Sequence, residues 1–217
     1  MAFYSKSQRD TQTRFDTRSL ADAMEAGIVE TKINEAHAAF IASRDFFFLS
    51  TVSGQGEPTV SFKGGDVGTV KVVDEQTLAF PAYDGNGMFL SLGNIEDTAQ
   101  IGLLFIDFET PHRLRVQASA TLSTDDPLLA DFPGAIGIVK AEVTSVFVNC
   151  ARYIHKHKRL ATSPYVPDAQ GKQPYALWKR INHMQEHLPA RDQGKAQTEG
   201  GLITEEDYRD ALSRGES

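Results

Sequence analysis

The chain has 217 residues, of which 41% are hydrophobic and 24% charged, and its formal net charge is −7. This composition is typical of a globular protein with room for a core, and the acidic balance argues against a nucleic-acid partner, because binding phosphates needs a basic surface. Cys150 is the only cysteine, which excludes an intrachain disulfide and favours a reducing compartment.

The first sixteen residues are polar and are expected to form an extended arm. They lack the apolar segment of a signal peptide, and no apolar run in the sequence is long enough to span a bilayer. We therefore expect a cytoplasmic location and no membrane partner. Apolar residues at helical spacing then predict a short helix that ends near Gly27 and an amphipathic helix over residues 31–43.

From residue 46 the pattern is that of β-strands. The aromatic and β-branched segment 46–52 is predicted to pair with 59–63, and segments 69–73 and 77–80 form a second predicted hairpin. The tetrapeptide Asp84-Gly85-Asn86-Gly87 interrupts the sheet before a short helix predicted over 88–95. An apolar run at 101–106 predicts a central strand, and segment 141–149 predicts the last one.

Residues 113–122 alternate between apolar and polar side chains, which is the period of a strand with one buried face. Arg113, Arg115 and Gln117 share the polar face, so they should point to solvent, a partner or a ligand. Six or seven short strands joined by hairpins favour a mainly β fold with peripheral helices, in which an antiparallel sheet closes to avoid free edges. Long crossover helices do not alternate with the strands, so a Rossmann fold is not expected.

Beyond residue 122, helices and loops are predicted around the last strand. Asp126-Pro127 predicts the N-cap and first residue of a short helix, whereas Pro and Gly residues beyond 163 predict loops. Residues 175–187 are predicted to be helical, and Thr204 begins the capping signature of a terminal helix. The predicted organisation is an N-terminal arm with a short helix (1–30), a barrel domain (31–160) and C-terminal loops and helices packing on the barrel or a partner (161–217).

The order of segments resembles that of a known family. After the amphipathic helix come FFFLSTVSGQGEP, a strand with Thr69-Val70-Lys71, then TLAFPAYDGNG, GLLFID and RLRVQASATL. Over about residues 31–150 this resembles the pyridoxamine 5'-phosphate oxidase-like family of FMN-binding split barrels. The NCARYI segment at 149–154 is similar to a branch distinct from the oxidase itself. The resemblance implies an antiparallel split β-barrel of Greek-key type, and a homodimer with two FMN sites at the subunit interface.

The resemblance also implies contacts with the cofactor. The strand would lie along the isoalloxazine ring with Thr69, Val70 and Lys71, and the next segment would follow it in the site with Phe80, Pro81 and Ala82. Asn86 and Gly87 would meet the phosphate at a helix N-terminus. The strand over residues 113–117 would supply further polar contacts with Arg113, Arg115 and Gln117. The Arg-Lys pair that the oxidase has near the position of Asn86 is absent here.

Several of these residues also have a simpler interpretation. Lys63 and Lys71 could place a cation near an anionic flavin oxygen or phosphate, or could be solvated on the outside of the sheet. Arg152 lies in the basic run 152–159, which could contact a phosphate or another subunit, or could be a solvated segment.

Two further features are more easily explained without a function. His183 and His187 have the spacing of a metal-binding pair on a helix, but a solvated helix face is favoured because no third ligand is recognisable. Cys150 is expected to be a small buried residue rather than a nucleophile.

We therefore predict an FMN-dependent oxidoreductase that acts on a small molecule of unspecified identity. No residue is assigned to catalysis, because hydride transfer to a positioned flavin needs no acid or base from the protein. The alternative is a non-catalytic flavin- or haem-binding module that acts as a carrier or sensor.

Overall fold

Within residues 2–216, the part of the chain that the computed structural model describes, seven strands form one antiparallel sheet. Along the sheet their order is β2-β1-β5-β6-β7-β4-β3. The bounds are Phe46–Val52 (β1), Pro58–Gly64 (β2), Lys71–Asp74 (β3), Thr77–Ala82 (β4), Gln100–Asp107 (β5), His112–Ser123 (β6) and Gly137–Asn149 (β7). The predicted strands are therefore all present, and the strand predicted over 101–106 is β5, an interior strand between β1 and β6.

The sheet curls around the larger of two apolar clusters but does not close. Side chains from every strand except β2 line this cluster, and Phe47, Leu78, Phe105 and Val139 are among its most buried members. The strands at the two ends of the order are β2 and β3, and the expected closure between them is wrong, because β3 is only four residues long and pairs with β4 alone. The mainly β split-barrel architecture with peripheral helices is confirmed.

Strand β6 has the predicted alternation. Leu114, Val116, Ala118 and Ala120 are buried in the core, whereas Arg115 and Gln117 are exposed on the opposite face. We call this opposite face of the sheet the outer face.

The N-terminal region is helical rather than extended. Helix α1 spans Lys6–Arg14, α2 Arg18–Ile28 and α3 Glu35–Ala42. The predicted arm is wrong because a reciprocal capping box between Ser5 and Gln8 begins α1, and Arg9 pairs with Asp22 and Glu25 of α2. These are polar contacts, so the hydrophobic pattern gave no sign of the helix. Residue 1 lies outside the described residues.

A second compact unit begins at Ser163, and it contains little regular structure. The helix predicted over 175–187 is wrong: two 3₁₀ turns, Leu177–Arg180 and Asn182–His187, are separated by Ile181, which is extended and pairs with Ile203. In the first unit, helix α4 spans Leu90–Thr98. The terminal helix is confirmed as α5, Glu205–Ser213, and Thr204 and Asp207 form its capping box.

The interior of this unit contains an ion pair. Lys179 Nζ lies 2.8 Å from a carboxylate oxygen of Asp192, and both side chains are buried. A 3₁₀ turn has three residues per turn, so His183 and His187 do not share a face as they would on an α-helix. Among residues 2–216 no group of three potential ligands could hold a metal ion, and no helix is long and apolar enough to cross a membrane.

Candidate functional site

A cavity of about 380 Å³ opens beside β2 and β4 and reaches the beginning of helix α4, Leu90–Thr98. Its apolar floor is formed by core side chains, namely Phe47, Leu49, Phe80 and Val139. Its walls are the end of β2, the loop of residues 83–89 and the first turn of α4. The site thus combines an apolar base with a rim rich in backbone polar groups.

The loop between β4 and α4 differs from its predicted form. The Gly85-Asn86-Gly87 segment lines the cavity, but the helix begins at Leu90, so these residues do not form its N-terminus. Asn86 Oδ1 accepts a hydrogen bond from the Met88 N–H at 3.1 Å, and Gly87 takes a positive φ of 78° that completes the turn. The helix N-terminus at the cavity is instead formed by residues 90–92. Its N-cap, Phe89, makes no side-chain cap hydrogen bond.

Hydroxyl and amide groups attach α4 to the sheet below the cavity. Ser61 Oγ on β2 and Ser91 Oγ on α4 are 2.9 Å apart, and both residues line the cavity. One turn further along, Asn94 Nδ2 donates to Thr51 Oγ1 at 3.0 Å and to Thr59 Oγ1 at 3.3 Å. Asn94 and Thr51 are buried, so these hydrogen bonds fix where the helix begins.

Two polar side chains of the cavity have no partner within residues 2–216. Lys63 is partly buried, and neither a carboxylate nor a hydrogen-bond acceptor engages its Nζ. Burial lowers the pKa of Lys63 below its usual value. The Tyr83 hydroxyl likewise makes no hydrogen bond, and burial, with a smaller contribution from Asp66, raises the pKa of Tyr83. A cation and a phenol therefore remain available to a ligand.

The cavity brings together seven of the predicted site residues: Lys63, Thr69, Phe80, Pro81, Ala82, Asn86 and Gly87. Val70 is next to them in sequence but is buried in the core. The sequence prediction missed Tyr83, Ser61 and Ser91. Strand alternation could have found Ser61, which lies two residues before Lys63 and so on the same side of β2.

The other predicted residues lie away from the cavity lining. Lys71 Nζ is 2.7 Å from a carboxylate oxygen of Asp131 and lies over the ring of Phe132. Arg113, Arg115 and Gln117 are on the outer face, where Gln117 Oε1 accepts a hydrogen bond from Ser145 Oγ at 2.9 Å. Their assignment to the cofactor stays a prediction.

Arg152 lies just beyond the end of β7, next to the cysteine. Its backbone N–H donates to Cys150 Sγ at 3.4 Å, and this contact is the main reason that the pKa of Cys150 is lowered. Cys150 is exposed, so the expectation that it is buried is wrong, because the strand ends at Asn149 before reaching it. Nearby, the buried Nε of Arg113 and Oδ1 of Asn149 lack hydrogen-bond partners in the described part of the chain.

An aromatic cluster covers part of the outer face next to the cavity. The ring of Phe46 stacks on Phe62 at 5.3 Å and on Phe108 at 5.8 Å, and Phe48 packs edge-on against Phe46 and Phe62. Phe62 is 63% exposed and also lines the cavity. We call these four residues the aromatic face. It is continuous with the cavity wall through Phe62.

This fold defines a split-barrel protein with a partly apolar cavity beside its sheet. The family model described as pyridoxamine 5'-phosphate oxidase matches residues 33–147, which is more than half of the chain. The chain therefore belongs to the pyridoxamine 5'-phosphate oxidase-like family. A comparison with curated proteins gave no match.

Solved structures show similarity at low sequence identity. A putative pyridoxamine 5'-phosphate oxidase from Lactobacillus delbrueckii is 23% identical, with 54% of this chain and 95% of that chain covered and a TM-score of 0.45. HupZ from Group A Streptococcus is 16% identical, with 58% and 99% covered and a TM-score of 0.45. HutZ, described as a heme storage protein from Vibrio cholerae, is 18% identical, with 54% and 94% covered and a TM-score of 0.39. These similarities carry no argument about function.

Proposed function

We propose that the cavity binds FMN and that the protein is a flavin-dependent oxidoreductase acting on a small molecule. The observation that carries this proposal is Lys63, a partly buried cation without a partner at an apolar cavity. Removing an unpaired charge from water is unfavourable, so such a site favours an anionic ligand. An apolar floor beside a cation suits a flat ring that carries a phosphate.

The residues present fit this cofactor. The volume of about 380 Å³ falls within the range of roughly 300–1,000 Å³ usual for small-molecule sites. The uncapped first turn of α4 offers backbone N–H groups to a phosphate, and the Ser91 hydroxyl lies in the same turn. FMN is favoured over FAD because the sequence has no dinucleotide fingerprint for a second phosphate.

In this proposal the protein's own residues bind and orient the cofactor. Lys63 and the first turn of α4 hold the anionic groups, Tyr83 offers a hydroxyl donor, and the apolar floor excludes water from one side of the ring. When bound, FMN supplies the redox chemistry. Lys63 is placed here as a binding residue, and no catalytic acid or base is assigned.

We also propose that two copies of the chain form a homodimer through the aromatic face. Phe62 is exposed and the other three rings are half-buried, and such a cluster favours association because burying it removes apolar surface from water. The face continues to the cavity through Phe62, so a second copy could bring further cations to the ligand, namely Arg113 and Arg115 of the outer face and Arg152 beyond the end of β7. Sedimentation at dilute concentration should give twice the chain mass, and Phe62→Glu should shift it to the monomer.

The second candidate is a haem- or flavin-binding carrier without catalytic activity. Met88 and Tyr83 line the cavity, and thioether and phenolate groups both occur as ligands of haem iron. The cavity lining contains no His, the commonest haem ligand, so FMN is the better supported cofactor. The cytoplasmic location and the absence of a nucleic-acid partner stay predictions.

Titration with FMN, FAD, riboflavin and haemin tests the proposal. We expect binding of FMN at micromolar concentration and weaker binding of riboflavin, because riboflavin lacks the phosphate. FAD and haemin should show no saturable binding in the same range. A preference for haemin, or no binding of FMN, would overturn it. Consumption of a nicotinamide reductant under oxygen by the FMN-loaded protein then separates an enzyme from a carrier.

A further inference from the structure

The segment between α2 and α3 is attached to the edge of the sheet. The Glu30 N–H donates to the Val146 carbonyl at 2.9 Å, and the Val146 N–H donates to the Glu30 carbonyl at 2.8 Å. Further along, the Ile33 N–H donates to the Glu75 carbonyl at 2.7 Å. Glu30 thereby occupies the edge of β7 beyond the residues that pair with β4. Release of this segment would leave the backbone of Val146 without a partner on that side.

A buried histidine of helix α3 contacts this segment. His37 is 7% exposed and its backbone N–H donates to Asn34 Oδ1 at 2.8 Å, while its Nδ1 lies 3.5 Å from the Asn34 backbone N. A backbone N–H can only donate, so Nδ1 is placed to accept at the long end of the hydrogen-bond range, an arrangement that the neutral imidazole with its hydrogen on Nε2 satisfies. This Nε2 lies 4.0 Å from Glu30 Oε1, to which Asn34 Nδ2 donates at 3.0 Å.

We propose that His37 is a pH-sensitive latch that holds residues 30–34 on the edge of β7. The neutral ring completes the capping box of α3 and so fixes Asn34 beside Glu30. With a proton on Nδ1, this atom and the Asn34 backbone N would both be hydrogen-bond donors. They could no longer share a hydrogen bond, and the capping box would be broken. Acidification would then weaken the start of α3 together with the bridge between Glu30 and Val146.

The charged groups around His37 agree with a weakening of this contact on acidification. Burial lowers the pKa of His37, and the Glu30 carboxylate opposes this shift only in part. The other charged groups nearby are engaged elsewhere: Lys32 pairs with Glu75, and on β3 Lys71 pairs with Asp131. Asp74, also on β3, accepts a hydrogen bond from the Gln76 N–H. Glu35 is exposed in the first turn of α3.

Proton linkage gives the direction in which the stability changes with pH. Because the pKa of His37 is lower in the folded protein, the unfolded chain binds more protons between that pKa and the unfolded value of about 6.5. The stabilisation is therefore present above about pH 6.5 and is lost as the pH falls below it.

Hydrogen exchange at pH 7.5 and 5.5, corrected for intrinsic rates, tests the latch in the full chain. We expect protection of residues 30–37 to fall about tenfold at pH 5.5, which corresponds to one lost hydrogen bond. His37→Gln should remove the pH effect, because Gln at this position of a capping box accepts the same hydrogen bond without titrating. His187→Gln, at an exposed position, should keep it.

Equal protection of the wild type at both pH values would overturn the proposal, and so would a wild-type-like loss in His37→Gln. If His37→Gln does not fold, NMR of the wild-type imidazole decides. A neutral ring with its hydrogen on Nε2 and a pKa below 6.5 supports the latch, whereas a hydrogen on Nδ1 or a higher pKa overturns it.

Discussion

The Oγ atoms of Ser61 and Ser91 lie 2.9 Å apart and join β2 to the first turn of α4 in the wall of the cavity. Two hydroxyls that share one hydrogen bond use one of their two protons, so the other O–H remains available as a donor. This pair therefore positions the helix and also offers a polar contact to the proposed ligand. Asn94, one turn further along α4, has only the positioning role because it does not line the cavity.

Replacement of Asn94 should separate these two roles. Asn94→Ala removes the hydrogen bonds to Thr51 and Thr59 inside the protein, and we expect the free energy of unfolding to fall by about 1–3 kcal/mol. Ser91→Ala should cost less stability and should weaken FMN binding severalfold. Chemical denaturation and flavin titration of both variants check this. Unchanged stability of Asn94→Ala would mean that apolar packing alone positions α4.

Replacement of Lys63 should weaken the binding of FMN. A charge-assisted hydrogen bond contributes about 1.5–3 kcal/mol, so Lys63→Met should lower affinity by about ten- to a hundredfold. Fluorescence quenching of FMN measures this. Lys172→Met, at an exposed position outside the cavity lining, is the matched control and should bind FMN like the wild type. If both variants bind equally well, Lys63 does not contact the ligand.

Replacement of Lys63 should not lower the stability of the ligand-free protein, although it weakens the binding of FMN. Burial lowers the pKa of Lys63, so the unfolded chain holds its proton more tightly, and the charged ammonium destabilises the folded state below that pKa. We expect the Tm of ligand-free Lys63→Met to equal or exceed that of the wild type at pH 7. A fall of several degrees would show that Lys63 is structural. FMN affinity of the wild type should decrease as the pH rises through the pKa of Lys63.

Arg113 and Lys71 test whether residues outside the cavity reach the cofactor. If a second copy brings them to the ligand, Arg113→Ala and Lys71→Ala should each lower FMN affinity by about tenfold or more. The ligand-free variants should melt within a few degrees of the wild type, because the pair of Lys71 with Asp131 is partly exposed. Unchanged affinity together with a badly destabilised apoprotein would make both residues structural.

The buried pair of Lys179 and Asp192 should stabilise the C-terminal unit. Lys179→Met removes the nearer and more buried of two cations from the Asp192 carboxylate, because Lys195 Nζ lies 3.7 Å from its other oxygen, and we expect a loss below the about 3–5 kcal/mol of a fully broken buried pair. We expect faster proteolysis within residues 163–216, and Lys179→Met combined with Asp192→Leu should recover part of the loss. Arg214→Gln breaks an exposed pair with Glu216 and should have little effect. Equal protease resistance of Lys179→Met and the wild type would contradict this role.

The sheet could be predicted from the sequence because its signals are local. Segment 46–52 has the same bounds as β1, and the alternation in β6 places Arg115 and Val116 on opposite faces as expected. Helix α1 was missed because it is held by Ser5, Gln8 and Arg9 through polar contacts, which leave no apolar period.

The candidate site was predictable only in part. Residues that line the cavity come mostly from one continuous stretch, so Lys63 and Asn86 could be grouped from the sequence. Tyr83 was missed because a loop aromatic belongs to no periodic pattern. For Arg113 the alternation gives the outward direction, but what lies opposite that face depends on a partner that the sequence of one chain does not describe.

The position of Phe62 in both the cavity wall and the aromatic face has a thermodynamic consequence. One ring cannot take part in two contacts independently, so a ligand that restricts it in the cavity also changes the surface open to association. The two equilibria are then linked, and whatever factor the ligand adds to self-association, self-association must add to ligand affinity. FMN affinity should therefore depend on protein concentration.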